Sequence, residues 1–298
     1  MRVAISGAGG MVGGPLAERL RSAGHDVLRL VRRDPVSPGE VRFEPETGRL
    51  DGARLERVGA VVHLAGENIA SGAWTEERRR RIRESRVQGT ALLARTLAGL
   101  AHPPRVLISA SAIGFYGDRG GEVLDEASAP GAGFLAETCV AWEQATAEAE
   151  RAGLAVVRLR IGIVLAAGAG ALGRMVPLFR ASLGGRVGSG RQFMSWISRE
   201  DLLRVIEHAL GASGLDGPIN AVAPAPVSNA EFAHTLGRVL SRPAILPVPS
   251  VAIRLAFGQM GRELLLASTR VVPRRLEQAG FPFLHGDLES ALRAELGR

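Results

Sequence analysis

The segment Arg2-Val3-Ala4-Ile5-Ser6 runs straight into Gly7-Ala8-Gly9-Gly10-Met11-Val12-Gly13, an apolar stretch followed by glycines spaced as GxxGxxG. Glycine is needed where a chain reverses tightly, where backbone must approach a phosphate, and where a helix packs closely on the strand before it. A helix that opens on such a turn aims its free N–H groups and the positive end of its dipole at an anion. The apolar spacing from Met11 to Ala23 is helical and stops at Gly24, and a second aliphatic run follows from Asp26 to Val31. This is the context of a dinucleotide-binding βαβ unit, with Gly7, Gly10, Met11, Val12 and Gly13 forming the phosphate turn.

The alternation continues. Strand-like runs at Ala60 to Leu64, Arg105 to Ser109 and Ala155 to Arg160 are separated by helical patterns that begin at Thr75, followed by Glu76 and Glu77, and span Phe134 to Ala152. Aliphatic runs of this kind suit strands buried on both faces. The expected fold is α/β: a Rossmann-type doubly wound parallel sheet with a smaller C-terminal α/β lobe. Ser198 and Ser228, each three residues before an acid, predict two further helices. Glycine and proline thicken from Ala166 to Gly190 and from Pro243 to Pro249. We therefore assign residues 1–165 to the nucleotide-binding domain, with 196–225 returning to it, and residues 166–195 and 226–298 to the smaller lobe. Met175, Phe179, Phe193, Met194 and Trp196 are the apolar wall expected to face a substrate.

The end of the second strand selects the dinucleotide. An acid there would hold the free ribose hydroxyl of NAD, whereas this chain reads Leu30-Val31-Arg32-Arg33. Arg32 stands 19 positions after Gly13, close to the ~20 at which the acid is expected. A guanidinium suits a 2′-phosphate in charge and geometry, so the expected cofactor is NADP(H), with Arg32 and Arg33 as its readers.

Composition removes several alternatives. Cys139 is the single cysteine, which excludes an internal disulfide and a multi-thiolate metal site. All 37 Lys+Arg residues are arginines, so no mechanism can use an ε-amine. The net charge of +7 is spread along the chain with little aromatic interleaving, which argues against nucleic acid as a partner. Arg78 to Arg81, Arg83 and Arg86 alternate with Glu76, Glu77 and Glu84 and read as a solvated helical face. No apolar run reaches the ~20 residues of a membrane span, and a cytoplasmic protein acting on a small molecule is expected. Oligomeric state is open.

Beyond the glycines, Val61-Val62-His63-Leu64-Ala65-Gly66 and Ser109-Ala110-Ser111 with Tyr116-Gly117-Asp118 resemble an extended short-chain dehydrogenase/reductase. The segments His63 to Ile69, Gly188 to Gln192 with Ser195-Trp196-Ile197, and Glu263 to Ser268 resemble its epimerase-family subgroup with a short C-terminal domain. The resemblance implies that Ala65, Gly66 and Glu67 line the cofactor and that Ser111 and Tyr116 stand nearest the chemistry. It also implies a tyrosine followed four residues later by a lysine. Here the only tyrosine is Tyr116, with Gly120 four residues on, and Phe134-Leu135-Ala136-Glu137-Thr138-Cys139 occupies the place of that pair. Three outcomes follow: Tyr116 donates a proton with help from an arginine and Ser111; Glu67 or Glu137 does so; or the protein binds cofactor without turnover. His63 and Cys139 read as packing residues, and Arg160 and Arg191 as arginines able to meet an anionic substrate.

Overall fold

The computed structural model describes residues 1–211 and 214–298. Eight strands form one sheet: β1 (Arg2–Ser6), β2 (Asp26–Val31), β3 (Glu40–Glu44), β4 (Arg49–Leu50), β5 (Ala60–His63), β6 (Val106–Ala112), β8 (Ala155–Ile161) and β12 (Gly217–Ala221). Their spatial order is β12-β8-β6-β5-β1-β2-β3-β4, parallel throughout except for the β3–β4 edge pair. Short strands make three further pairs: β7 (Val123–Leu124) with β14 (Arg270–Val271), β9 (Ile163–Leu165) with β11 (Trp196–Ser198), and β10 (Phe193–Met194) with β13 (Val227–Ser228).

The helices are α1 (Gly13–Ser22), α2 (Glu76–Ala98), α3 (Phe134–Gln144), α4 (Ala147–Arg151), α5 (Gly170–Arg180), α6 (Arg199–Gly211), α7 (Asn229–Leu240), α8 (Ser250–Gly261), α9 (Arg274–Gln278) and α10 (Leu288–Leu296). Side chains alternate across β1, so Val3 and Ile5 enter one apolar layer and Ala4 the other. The first layer holds Leu16 and Leu20 of α1 with Leu202 and Ile206 of α6; the second holds Leu92, Leu93 and Leu97 of α2 with Ala149 of α4. The expected strands and doubly wound layers are thus present.

Two local expectations change. The run Phe134 to Ala152 is two helices, because the hydroxyl and N–H of Thr146 both turn back to the Glu143 carbonyl and break the ladder. Most of the expected substrate wall is core: Trp196 and Phe179 are buried in a separate cluster with Leu172, Phe232, Leu236 and Leu292, against which Met175 and Met194 pack, while Phe193 is half-buried beneath the Arg270 guanidinium. The indole N–H of Trp196 donates to the Ala225 carbonyl at 3.0 Å, as a buried polar group must.

Ser198 accepts the Asp201 N–H at 3.0 Å and Ser228 accepts the Glu231 N–H at 3.2 Å, so both capping signals start helices as read. Asp201 also accepts from the Ser198 hydroxyl at 3.1 Å. Fully buried, its carboxylate accepts the N–H groups of Leu284 at 2.8 Å and His285 at 2.9 Å, tying the C-terminal segment to α6.

The glycine turn is sterically fixed. A Cβ on Gly13 would stand 2.3 Å from the Gly7 carbonyl oxygen, backbone that cannot yield without opening the turn. Gly13→Ala is therefore expected to destabilise the fold by ~1–3 kcal/mol, the usual range for overpacking, read as a lower urea midpoint at unchanged slope.

Candidate functional site

After β1 the chain moves to β2 on one side, while β5 and β6 fill the other, so the strand order reverses between β1 and β5. A crevice opens at the carboxyl ends of strands at such a switch point. Gly7 sits there with φ +70°, and a Cβ on it would be 2.9 Å from the Leu64 carbonyl carbon. Gly9 and Gly10 are exposed, and the Gly10 N–H closes the turn on the Gly7 carbonyl at 2.9 Å. Val12 gives α1 no side-chain cap, which leaves the first turn without a side-chain acceptor. Met11 and Val12 are partly buried, and the Met11 sulfur lies against Gly170 at the start of α5. The turn thus offers backbone donors on a surface no side chain crowds, which fits a diphosphate.

At the end of β2 the charges sort themselves. Arg33 grips the buried Glu40 with both guanidinium nitrogens, at 2.8 and 2.6 Å. That contact, reinforced by the Val36 N–H, holds the Glu40 carboxyl below the ordinary range. Asp34 is bound by Arg42. Arg32 is exposed and has no ion pair among the described residues. Of the two predicted phosphate readers, Arg32 is free and Arg33 is committed to Glu40.

The β1 and β5 ends are joined by one hydroxyl. Ser6 Oγ accepts the N–H groups of Leu64 at 3.1 Å and Ala65 at 3.2 Å, so its own proton goes to His63 Nδ1 at 2.6 Å. His63 is fully buried, its Nε2 without a partner among the described residues, and burial depresses its pKa to about 4. His63 is a packing residue as expected, here with a defined tautomer. Beyond it, Ala65 is partly buried, Gly66 is exposed, and the Glu67 carboxylate is taken by Arg78 at 2.8 Å.

At the carboxyl end of β6, pairing with β8 brings the buried Ser111 opposite Arg160. The Ser111 hydroxyl donates to Glu143 at 2.7 Å, and Arg160 clamps both oxygens of that carboxylate at 2.8 Å. Arg160 also donates to the Tyr116 hydroxyl at 2.9 Å and stacks 3.5 Å from the Phe115 ring centroid. Arg160 is therefore an internal counter-ion rather than a hand for an anionic substrate. Tyr116 is fully buried; its hydroxyl donates to Asn220 Oδ1 at 2.7 Å, and burial pushes the phenol up to about 12. That setting supports packing rather than the proton exchange expected of it. Burial likewise pushes the Cys139 thiol up to about 12, in keeping with a helix-packing residue. Glu137 and Arg191 are exposed. Glu137 lines a separate cavity of about 670 Å³ with Arg79, Arg83 and Gln259, which touches neither the glycine turn nor Ser111.

The roles of two residues are not legible in the motifs that contain them. Arg86, grouped by sequence with a solvated face, instead lies on the inward stripe of α2 with Ile82, Gly89, Thr90 and Leu93, a spacing that could have revealed its position. Glu263, from the C-terminal segment, accepts the Phe134 and Leu135 N–H groups and so caps α3. No local signal could have paired residues that far apart in the chain.

The sequence profile described as the NAD dependent epimerase/dehydratase family matches residues 3–221, and a domain of unknown function, DUF1731, matches residues 248–295. An epimerase family protein of Mycobacterium bovis is 46% identical over 292 residues, covering 97% of this chain and 96% of its own. The human epimerase family protein SDR39U1, crystallised with NADPH, superposes with a TM-score of 0.90 at 33% identity and full coverage of both chains. A Corynebacterium glutamicum structure described as a nucleoside-diphosphate sugar epimerase gives a TM-score of 0.82 at 38% identity, covering 100% of this chain and 58% of that one.

Two outcomes are expected. Because native His63 resists protonation while an unfolded histidine does not, stability contributed by the neutral ring is lost as pH falls from 6.5 to about 4. The loss is ~3 kcal/mol at ~1.4 kcal/mol per pH unit, and His63→Asn should remove most of it in urea midpoints taken across that window. Tyr116→Phe strands Asn220 Oδ1 and leaves Arg160 Nη1 with only the Glu126 carbonyl as acceptor, so it should cost ~1–3 kcal/mol while nucleotide affinity, measured by titration, stays within a factor of two or so.

Proposed function

This chain belongs to the NAD dependent epimerase/dehydratase family, and from that premise we propose that it is an NADP(H)-binding oxidoreductase or epimerase-like enzyme for a small molecule. Gly7, Gly10, Met11, Val12 and Gly13 would hold the diphosphate, Arg32 the 2′-phosphate, and Ala65 with Gly66 the adenosine side. The observation that carries the choice of NADP(H) is the charge pairing at the end of β2: Glu40 and Asp34 are neutralised by Arg33 and Arg42, and Arg32 remains for a phosphate. The human relative's NADPH supports the same choice.

When bound, the nicotinamide would supply or accept a hydride. The Ser111 oxygen keeps lone pairs while its proton is given to Glu143, so it can accept a hydrogen bond from a substrate hydroxyl. The fixed Arg160–Glu143 pair holds that serine in one orientation. A second reading, cofactor binding without turnover, is favoured by the burial of Tyr116 and the absence of any lysine.

Calorimetric titration separates these. NADPH is expected to bind at least ~10-fold more tightly than NADH, a charge-assisted contact to phosphate being worth ~1.5–3 kcal/mol. Arg32→Ala should erase that preference while leaving NADH affinity unchanged. Equal affinities in the wild type would reject the assignment of Arg32. Transfer of label from 4-deuterated NADPH to a carbonyl compound would establish turnover, and its absence across a broad carbonyl panel would favour the binding-only reading.

A further inference from the structure

Besides the exposed Arg32, Arg86 on α2 is a cation beside the crevice with no ion pair among the described residues. Its Nη1 donates to the Ile82 carbonyl at 3.0 Å. The other arginines around it are matched: Arg78 holds Glu67, and Arg160 holds Glu143. Glu67, the carboxylate whose field reaches Arg86, is therefore already held by another arginine.

Its position is defined from three sides. A Cβ on Gly66 would be 3.4 Å from the Arg86 Cζ and 3.5 Å from Nη2, so the guanidinium lies against the loop leaving β5. The same group stands 5.1 Å from the Trp142 ring centroid on α3. Cys139, one turn earlier on α3, packs beside Gly114, just past Ser111. Arg86 thus stands between the glycine-turn side and the Ser111 side of the crevice. Burial draws its pKa below the ordinary arginine range, yet a guanidinium keeps its proton at any physiological pH. Partial desolvation of a charge that no acid contacts is unfavourable for folding. Such a group is retained where a ligand supplies the missing anion.

We propose that Arg86 is the anion anchor of this crevice, binding phosphate or carboxylate oxygens through the guanidinium nitrogens that the protein leaves free. The proposal rests on the NADP(H) reading for the crevice's occupant, and the anion has two sources: the diphosphate of the cofactor itself, or an acidic substituent on the substrate beside it. A planar guanidinium that can give two parallel hydrogen bonds suits either.

The test uses the full-length protein, Arg86→Gln and Arg86→Lys. NADPH is titrated into each, and inorganic phosphate is then titrated into the NADPH-loaded protein with nicotinamide fluorescence as readout. If NADPH affinity falls at least ~10-fold in Arg86→Gln and recovers partly in Arg86→Lys, the anion is the cofactor's. If NADPH affinity holds while phosphate binding to the loaded protein weakens at least ~10-fold, the anion belongs to the substrate. Unchanged binding of both ligands overturns the proposal. Should the wild type bind no NADPH, the cofactor reading fails by itself, and phosphate titration of the nucleotide-free protein still decides Arg86, loss in Arg86→Gln supporting it and no loss overturning it. Thermal melting gives the independent check. Removing an uncompensated charge should leave Tm equal or higher, whereas a lower Tm or failure to fold in Arg86→Gln would make the arginine structural and overturn its assignment.

Discussion

The hydroxyl of Ser6 holds the crevice open by holding two strands together. It gives its proton to His63 and receives the first two N–H groups beyond β5, so the carboxyl ends of β1 and β5 leave the sheet as one unit. Gly7 then turns under positive φ against Leu64, and Gly13 lies on Gly7, with no room for a methyl group at either place. The glycines are required by this backbone-on-backbone packing before any ligand is considered. What they leave exposed, the surface at Gly9 and Gly10 and the uncapped start of α1, is where an anion can come close.

Electrostatics in this chain is arginine electrostatics. With no lysine, each of the 37 permanently basic side chains is a guanidinium, which pairs two oxygens in a fixed plane and does not release a proton. Around the crevice these forks have claimed the acids in turn: Arg33 with Glu40, Arg42 with Asp34, Arg78 with Glu67, Arg160 with Glu143. The pairing fixes side-chain geometry and removes negative charge from the region a nucleotide would enter. It also leaves few groups able to move a proton near neutrality, since His63, Tyr116 and Cys139 are all pushed away from it by burial. The C-terminal segment takes part in building this region, because Glu263 caps α3 and Gln259 bridges that carboxylate to Arg79.

The sequence by itself determined the sheet and the turn. Aliphatic runs of four to seven residues, a glycine pattern with positional meaning, and serine caps ahead of acids are local signals, each acting within a few residues, and β1, β2, β5, β8, α1 and α7 follow them. The position of Arg32 at a strand end is equally local, and so was legible. Tertiary structure alone decided which charges and hydroxyls are free. Arg33 and Arg32 are neighbours in sequence, but only the return of β3 brings Glu40 to one of them. Tyr116 reads as a candidate acid until Asn220 and Arg160 close on its hydroxyl from distant strands. Helical spacing from Ile82 could have marked Arg86 as inward, but only the packing of α2 against Gly66 and α3 decides what its guanidinium meets. The physical reason is common to all three: secondary structure follows local periodicity, whereas the state of a charge depends on partners and solvent exposure that long-range contacts create.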